Sequence, residues 1–299
     1  MAGLNYNSAA HVHFYIAAGF NAALACVLAA VRLGCKVTVV VQMSMHAGHV
    51  SELRKAGATG VIRCGDTWEE ADGFAAETVK MLNRDRHGNT EEAIYLHPHD
   101  DPNIWEGNAK IVPEIQGQMQ RFRKDTHQPP KRLFDAVVCA VRGGGLLCGL
   151  RMGLDRLGRL EWVVGKKWSK TPVIAAEIAG VDSLRRSVEA KKVVKPLAES
   201  RDPGLTTDAT WHGARPVSET ALSYAQQENV LLVAVTDEEA ADARRRFASQ
   251  ECLIVDQVCG AVLAVCYKGK LWQLLPGLES RSNVVLVICG GRSDVDVQP

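Results

Sequence analysis

Short runs of Val, Ile and Ala recur along this chain, and each gives way through a glycine or a polar break to a longer segment with helical spacing. The run KVTVVVQ at 36–42 is the plainest. Its unbroken apolar character suits a strand buried on both faces, which in turn requires helices on both sides of a parallel sheet. Before it the chain reads as a strand from His13 to Ala17, a Gly-Phe-Asn turn and an Ala-rich helix from Ala22 to Leu33. Small residues let that helix lie close to a sheet, and Gly34 is placed to stop it.

The alternation continues. A helix over His46–Ala56 and a strand over Gly60–Arg63 lead to a helix from Trp68 to Leu82, whose Ala71, Phe74, Ala75, Val79 and Leu82 fall on one face. Ala93–Leu96 reads as a strand ending at HPHDDP, and one helix from Ile104 to Phe122 is expected to carry Pro113 at some cost in strain. Beyond the polar link KDTHQPPKR, strands are predicted at Phe134–Val141, Val173–Glu177, Leu231–Val235 and Asn283–Cys289. Helices are predicted at Leu146–Leu157, Val181–Lys191, Glu219–Glu228, Asp237–Ser249 and Gly260–Lys268. The pattern implies an α/β fold with mostly parallel sheets covered by helices.

Charge and cysteine usage narrow the function classes. Lys and Arg number 35 against 34 Asp and Glu, so no generic attraction to nucleic acid or an anionic membrane is expected. The nine cysteines form no CxxC pair and several lie inside apolar runs such as VVCAV and VLVICGG, which points to a reducing, cytoplasmic setting. No basic segment leads into an apolar signal core, and Arg, Lys or Gly interrupts each apolar stretch before it reaches a bilayer-spanning length.

The chemistry-bearing residues collect where strands end. In VVCAVRGGGLLCG a strand runs directly into Arg142, Gly143, Gly144 and Gly145. Glycine N–H groups at a helix start can bind a phosphate or carboxylate, and Arg142 can add bidentate hydrogen bonds; the same residues also make a tight turn with Arg142 in solvent. In AAGFN, Ala17–Asn21, the Asn21 side chain can meet a ligand oxygen or cap the following helix. In CGGRSD, Cys289 can face a heterocycle or be a buried thiol before a turn. His97, His99, Asp100 and Asp101 in HPHDDP suit proton transfer or a structural turn, and a metal site there is disfavoured because alternate side chains of an extended segment diverge. The polar patch at Asp208, Trp211 and His212 and the basic run with Lys166, Lys167 and Lys170 read as solvated surface.

Taken together, HFYIAAGFNAALACVLAAVRLG, HPHDDPNIWEGNAKIVPEI, VVCAVRGGGLLCG, VDQVCGAVLAV and VLVICGG resemble the serine/threonine dehydratases of the pyridoxal-phosphate (PLP) fold type II, or tryptophan synthase beta-like, superfamily, across nearly the whole chain. The resemblance implies a small α/β lobe over residues 1–96 and a large one over 97–299, with the cofactor between them and a homodimer as the common assembly. It implies substrate binding by Ala18, Gly19, Phe20 and Asn21, with Asn21 also at the cofactor's ring. It implies a phosphate cradle at Gly143, Gly144 and Gly145 and a pyridine-facing Cys289. Glu177 matches the family's cation-site glutamate, but Asp256 and Gln257 replace the later Glu-Pro pair and place that site in doubt.

Two departures shape the functional expectation. The serine hydroxyls of the substrate loop are replaced by Ala17 and Ala18, and Arg142 stands where a first glycine is usual. The family's Schiff-base lysine lies upstream of the loop, whereas the first lysine here, Lys36, lies beyond the next helix. The leading expectation is therefore a PLP-independent enzyme without a metal. His99, Asp100 and Arg142 would support acid/base elimination, isomerisation or cyclisation of an anionic or oxygen-rich small molecule, and PLP would bind noncovalently if at all. One alternative is a PLP-dependent dehydratase-like lyase whose chain is truncated at the start. The other is a pseudoenzyme that serves as a non-catalytic binding or partner subunit. Phe20, Trp105 and Trp211 are expected to make the site more apolar than one built for serine.

Overall fold

The computed structural model describes residues 11–85, 91–126, 134–160, 168–194 and 216–290. The chain divides into two compact units, Met1–Asp101 and Pro102–Pro299. Asp208, Trp211, His212, Lys166 and Lys167 lie outside the described residues, and Lys170 is exposed.

The first unit contains β1 (Val12–Ala17), α1 (Phe20–Leu33), β2 (Lys36–Val41), α2 (Ala47–Lys55), β3 (Gly60–Arg63), α3 (Trp68–Arg84) and β4 (Glu92–Leu96). The strands form one sheet in the order β3-β2-β1-β4. Every pairing is parallel, with Ala17 opposite Val40 and Ile16 opposite Leu96. Val37, Val39 and Val41 pack with Ala23, Val27 and Leu53 of α1 and α2 on one face. Val40 and Ala17 meet Ala71 and Ala75 of α3 on the other. The valines of β2 thus serve two cores, as a doubly covered parallel sheet requires.

Helix ends follow local chemistry. Thr67 and Glu70 form a reciprocal capping box at α3. Gly34 closes α1 with φ 70°, in the left-handed region that favours glycine. At the other end of α1 the cap is Gly19, with no side-chain hydrogen bond, and Asn21 lies inside the helix. The capping role expected of Asn21 is corrected by one simple fact: the helix begins at Phe20, so Asn21 is already past the position whose side chain can cap.

The second unit contains α4 (Pro102–Ala109), α5 (Ile111–Thr126), β5 (Ala136–Ala140), α6 (Gly145–Leu160), a 3-10 turn (Trp168–Lys170), β6 (Val173–Ile178) and α7 (Ser183–Ala190). It continues with α8 (Glu219–Ala225), β7 (Val230–Val235), α9 (Asp237–Glu251), α10 (Gln257–Tyr267), α11 (Lys270–Leu274) and β8 (Val284–Val287). The single helix expected over Ile104–Phe122 is two helices. Pro113 falls in the first turn of the second, where its missing N–H breaks no intrahelical bond, so no strain arises.

The second sheet is also wholly parallel, in the order β7-β6-β5-β8. Val137 and Cys139 of β5 join Leu147, Leu150 and Leu154 of α6 on one face. Val138 and Ala140 join Val262 and Val265 of α10 on the other. Arg151 of α6 is only 1% exposed and donates to the carbonyls of Thr171 at 3.1 Å and Ser169 at 2.9 Å, tying the helix to the 3-10 turn. Among the described residues no helix is long and apolar enough to cross a membrane.

Candidate active site

Both sheets place β-strands in the same order of insertion, with the last strand added beside the first rather than beyond the third. In an open parallel sheet the loops diverge where the order reverses, and ligands bind at the carboxyl ends of the strands there. The reversal lies between β1 and β4 in the first unit and between β5 and β8 in the second. The loops that follow these strands are AAGFN and HPHDDP in the one, and RGGG and CGG in the other.

In the first unit Ala17 and Ala18 are buried, and the Trp68 indole N–H donates to the Ala17 carbonyl at 2.9 Å. Phe20 stacks on His49 with ring centroids 4.2 Å apart and planes inclined by 17°. The loop is therefore gripped through its backbone and one aromatic ring. Across the switch point His97 and His99 pack against Trp68, each with ring centroids 5.4 Å from it. The His97 Nδ1 accepts the backbone N–H groups of His99 at 3.2 Å and Asp100 at 2.8 Å, so HPHDDP is a tight turn organised by His97. Asp100 is exposed, and Asn21 also faces solvent.

The second unit builds a different edge. The carbonyl of Gly143 accepts the Ser218 N–H at 3.2 Å, that of Gly144 the Cys148 N–H at 2.9 Å, and that of Gly145 the Asn108 amide at 3.1 Å. Among the described residues every peptide is trans, and each N–H points opposite to the carbonyl of its own peptide unit, so the N–H groups of Gly144, Gly145 and Leu146 turn away from these three donors at the start of α6. Gly144 has φ 95°, and a Cβ on it would stand 2.3 Å from the Ala221 Cβ. Glycine is required there by backbone conformation and by space.

Arg142 leaves the same loop toward Asp256 and Cys289. Burial pulls its pKa down, and the charges of Asp256 and Cys289 oppose the fall. Asp256 caps α10 by accepting the Cys259 N–H at 2.8 Å. Arg142 is thus neither in free solvent nor aimed only at the glycine loop; it has a buried carboxylate and a thiol as electrostatic neighbours.

Glu177 does other work. Its two carboxylate oxygens accept the N–H groups of Leu184 at 2.8 Å and Arg185 at 2.9 Å, filling the amino end of α7. Burial pushes its pKa up to about 7 against those hydrogen bonds. Gln257 bridges Arg244 and the Asp237 carbonyl. Among the described residues no group of three or more His, Cys, Asp or Glu side chains is arranged to hold a metal. Trp105 packs against the core beside α6. Of the partners that fix the loops, Trp68, Asn108 and Ser218 went unread in the sequence as site residues, and Asp256 was read only at the doubtful cation site. Asn108 carried a signal, within a segment quoted for the family resemblance.

Residues 11–290 match the family described as pyridoxal-phosphate dependent enzyme. The chain belongs to that family. It is 32% identical over 282 residues to the L-serine dehydratase/L-threonine deaminase of Bos taurus, covering 93% of this chain and 76% of the relative. It is 34% identical over 287 residues to the serine dehydratase-like protein of Rattus norvegicus, covering 94% and 75%. The crystal structure of a fungal L-serine ammonia-lyase from Rhizomucor miehei superposes with a TM-score of 0.73 at 29% identity, covering 95% of this chain and 78% of that one.

These findings bear out the serine/threonine dehydratase-like resemblance and the fold type II architecture, and they overturn the expected chemistry. A PLP-independent reaction and a site with no favoured cofactor are at odds with membership in a PLP-dependent family and with relatives named as serine dehydratases. The acid/base roles expected of His99, Asp100 and Arg142 belonged to that PLP-independent mechanism.

The residues of the second unit fit such a cofactor. A phosphate needs N–H donors and close backbone approach, and the Gly143–Gly145 loop has its carbonyls taken by other donors and carries no side chain at three successive positions.

Proposed function

We propose that this protein is a PLP-dependent lyase acting on a small hydroxy amino acid of the serine or threonine class. The carrying observation is the Gly143–Gly145 loop at the switch point of the second sheet, with its carbonyls pinned by Ser218, Cys148 and Asn108. The names of the relatives support the reaction class.

When bound, PLP supplies an electron sink that labilises bonds at the α-carbon of an amino acid. In this reading the N–H groups of Gly144, Gly145 and Leu146 hold the phosphate at the start of α6, and that helix's dipole adds to the attraction. Cys289 would face the pyridine ring of the bound cofactor, as the family resemblance implies. Arg142, with Asp256 close by, sets the potential along that edge. In the first unit the amino end of α1 carries no side-chain cap, and its backbone N–H groups with the Asn21 amide would receive the substrate carboxylate. Ala17 and Ala18 add no hydroxyl donors, which leaves recognition there to the backbone. Lys36, the first lysine of the sequence, begins β2 at the amino ends of the strands, away from the loops, and is paired with Glu91. A homodimer in the cytoplasm belongs to the same proposal, supported by the family resemblance and the cysteine usage.

The test is direct. Protein supplied with PLP is expected to release a 2-oxo acid and ammonia from L-serine or L-threonine, and borohydride trapping followed by peptide mapping locates any covalent attachment. No 2-oxo acid from either amino acid, with PLP demonstrably bound, contradicts the reading.

A further inference from the structure

The switch point of the second unit also brings two thiols together. Cys289, just beyond β8, is exposed, whereas Cys259 in the first turn of α10 is buried. The Cys259 sulfur accepts the backbone N–H of Gly290 at 3.0 Å. Gly290 is enclosed by the Asp256 carboxylate as well: a Cβ on it would lie 2.1 Å from Asp256 Oδ2. The residue after Cys289 is therefore clamped between Cys259 and its helix cap. This fixes the backbone of one cysteine against the side chain of the other.

The electrostatics of the pair are asymmetric. A hydrogen bond from the Cys259 thiol holds the Cys289 pKa below that of an ordinary thiol, and Arg142 contributes in the same direction. The same hydrogen bond, with burial, pushes Cys259 up. A thiol on an exposed residue that is held toward its thiolate, against partial burial of the sulfur, beside a buried protonated one is the arrangement of an attacking and a resolving thiol.

We propose that Cys289 and Cys259 form a peroxide-reactive dithiol, with Cys289 attacking and Cys259 resolving. The Cys289 thiolate attacks one oxygen of hydrogen peroxide and the O–O bond breaks. Sulfur is oxidised by two electrons to the sulfenic acid, and the departing oxygen takes a proton to leave as water. The Cys259 sulfur then bonds to that sulfur, the S–O bond breaks, and the Cys259 proton leaves with the hydroxyl as a second water. The balance is two thiols and one peroxide to one disulfide and two waters. The step needs neither bound PLP nor turnover, so its test is separate from that of the lyase reading.

Reductant-free protein, with and without PLP, is treated with hydrogen peroxide at low stoichiometry, alkylated, digested and mapped by mass spectrometry. The expected product is a dithiothreitol-reversible link between the peptides carrying Cys259 and Cys289. It should form at least about tenfold faster than any oxidation of Cys252, which is also exposed and serves as the internal control. In Cys259→Ser, dimedone should label Cys289 and the link should vanish. Wild-type protein in which both cysteines remain alkylatable while Cys252 or methionine oxidises overturns the proposal, as does a disulfide from Cys289 to any other cysteine. Because the decisive product is read on the wild type, a variant that fails to fold leaves the test intact.

Discussion

The two units share a strand order and differ in how they hold the loop at the point where that order reverses. The second unit withdraws three successive glycine carbonyls with donors from Ser218, Cys148 and Asn108. Its loop is built from backbone polarity and presents N–H groups. The first unit buries Ala17 and Ala18, takes one carbonyl with Trp68 and stacks Phe20 on His49. Its loop is held mainly by apolar packing. One topology therefore supplies two edges of different chemistry; in the proposed function the second unit would hold the anionic group of fixed geometry and the first the substrate carboxylate.

Gly144→Ala tests the contrast most severely. Left-handed backbone and a Cβ 2.3 Å from Ala221 should together cost roughly 2–4 kcal/mol, seen as a lower denaturation midpoint, and should abolish the preference for phosphate-bearing ligands. Binding of a substrate carboxylate by the first unit should be untouched at the level of its own hydrogen exchange.

The units should also respond to pH with opposite sign. Glu177 of the second unit is raised from 4.5 to about 7, so the native state holds its proton more tightly than the unfolded chain does. Stability is then lost as pH rises through that window, by on the order of 3 kcal/mol. Glu91 of the first unit is lowered by hydrogen bonds from Lys36 and His13, so its contribution is lost as pH falls below the ordinary carboxylate range. Amide hydrogen exchange at a series of pH values resolves the two. Glu177→Gln should flatten the dependence around α7 and leave β4 unchanged.

Trp68→Phe removes the donor to the buried Ala17 carbonyl and should cost about 1–3 kcal/mol. In steady-state assays it should raise KM for the amino acid while leaving PLP affinity unchanged. The smallest effect is expected from His49→Ala, which unstacks Phe20 at about 0.5–1.5 kcal/mol, measured as a change in thermal midpoint. A Trp68 or His49 variant that weakened PLP binding as strongly as Gly144→Ala would erase the distinction between the two edges.

The parallel sheets were legible because β2 and β5 carry unbroken Val, Ala and Cys runs that only a doubly covered sheet can bury. Gly34 and the glycine loop around Gly144 announced themselves through local rules of backbone conformation, whereas the Thr67–Glu70 capping box was not read from the sequence. The break between α4 and α5 was missed because a proline in a first turn and a proline in a helix interior look alike until the start of the helix is known. The site was harder for a different reason. Trp68 lies 51 residues from the carbonyl it holds, and Asn108 37 residues from Gly145, so neither contact leaves a local signature. Arg142 was visible as an oddity, but its setting beside Asp256 and Cys289 depends on β5 and β8 being neighbours, which the chain order conceals.

The glycine loop's claim on a phosphate can be measured by comparing PLP with pyridoxal, which differs only by lacking the phosphate, in fluorescence or absorbance titrations of the purified protein. The account predicts at least about tenfold tighter binding of PLP, with the difference removed by Gly144→Ala. Equal affinities for the two compounds would contradict it.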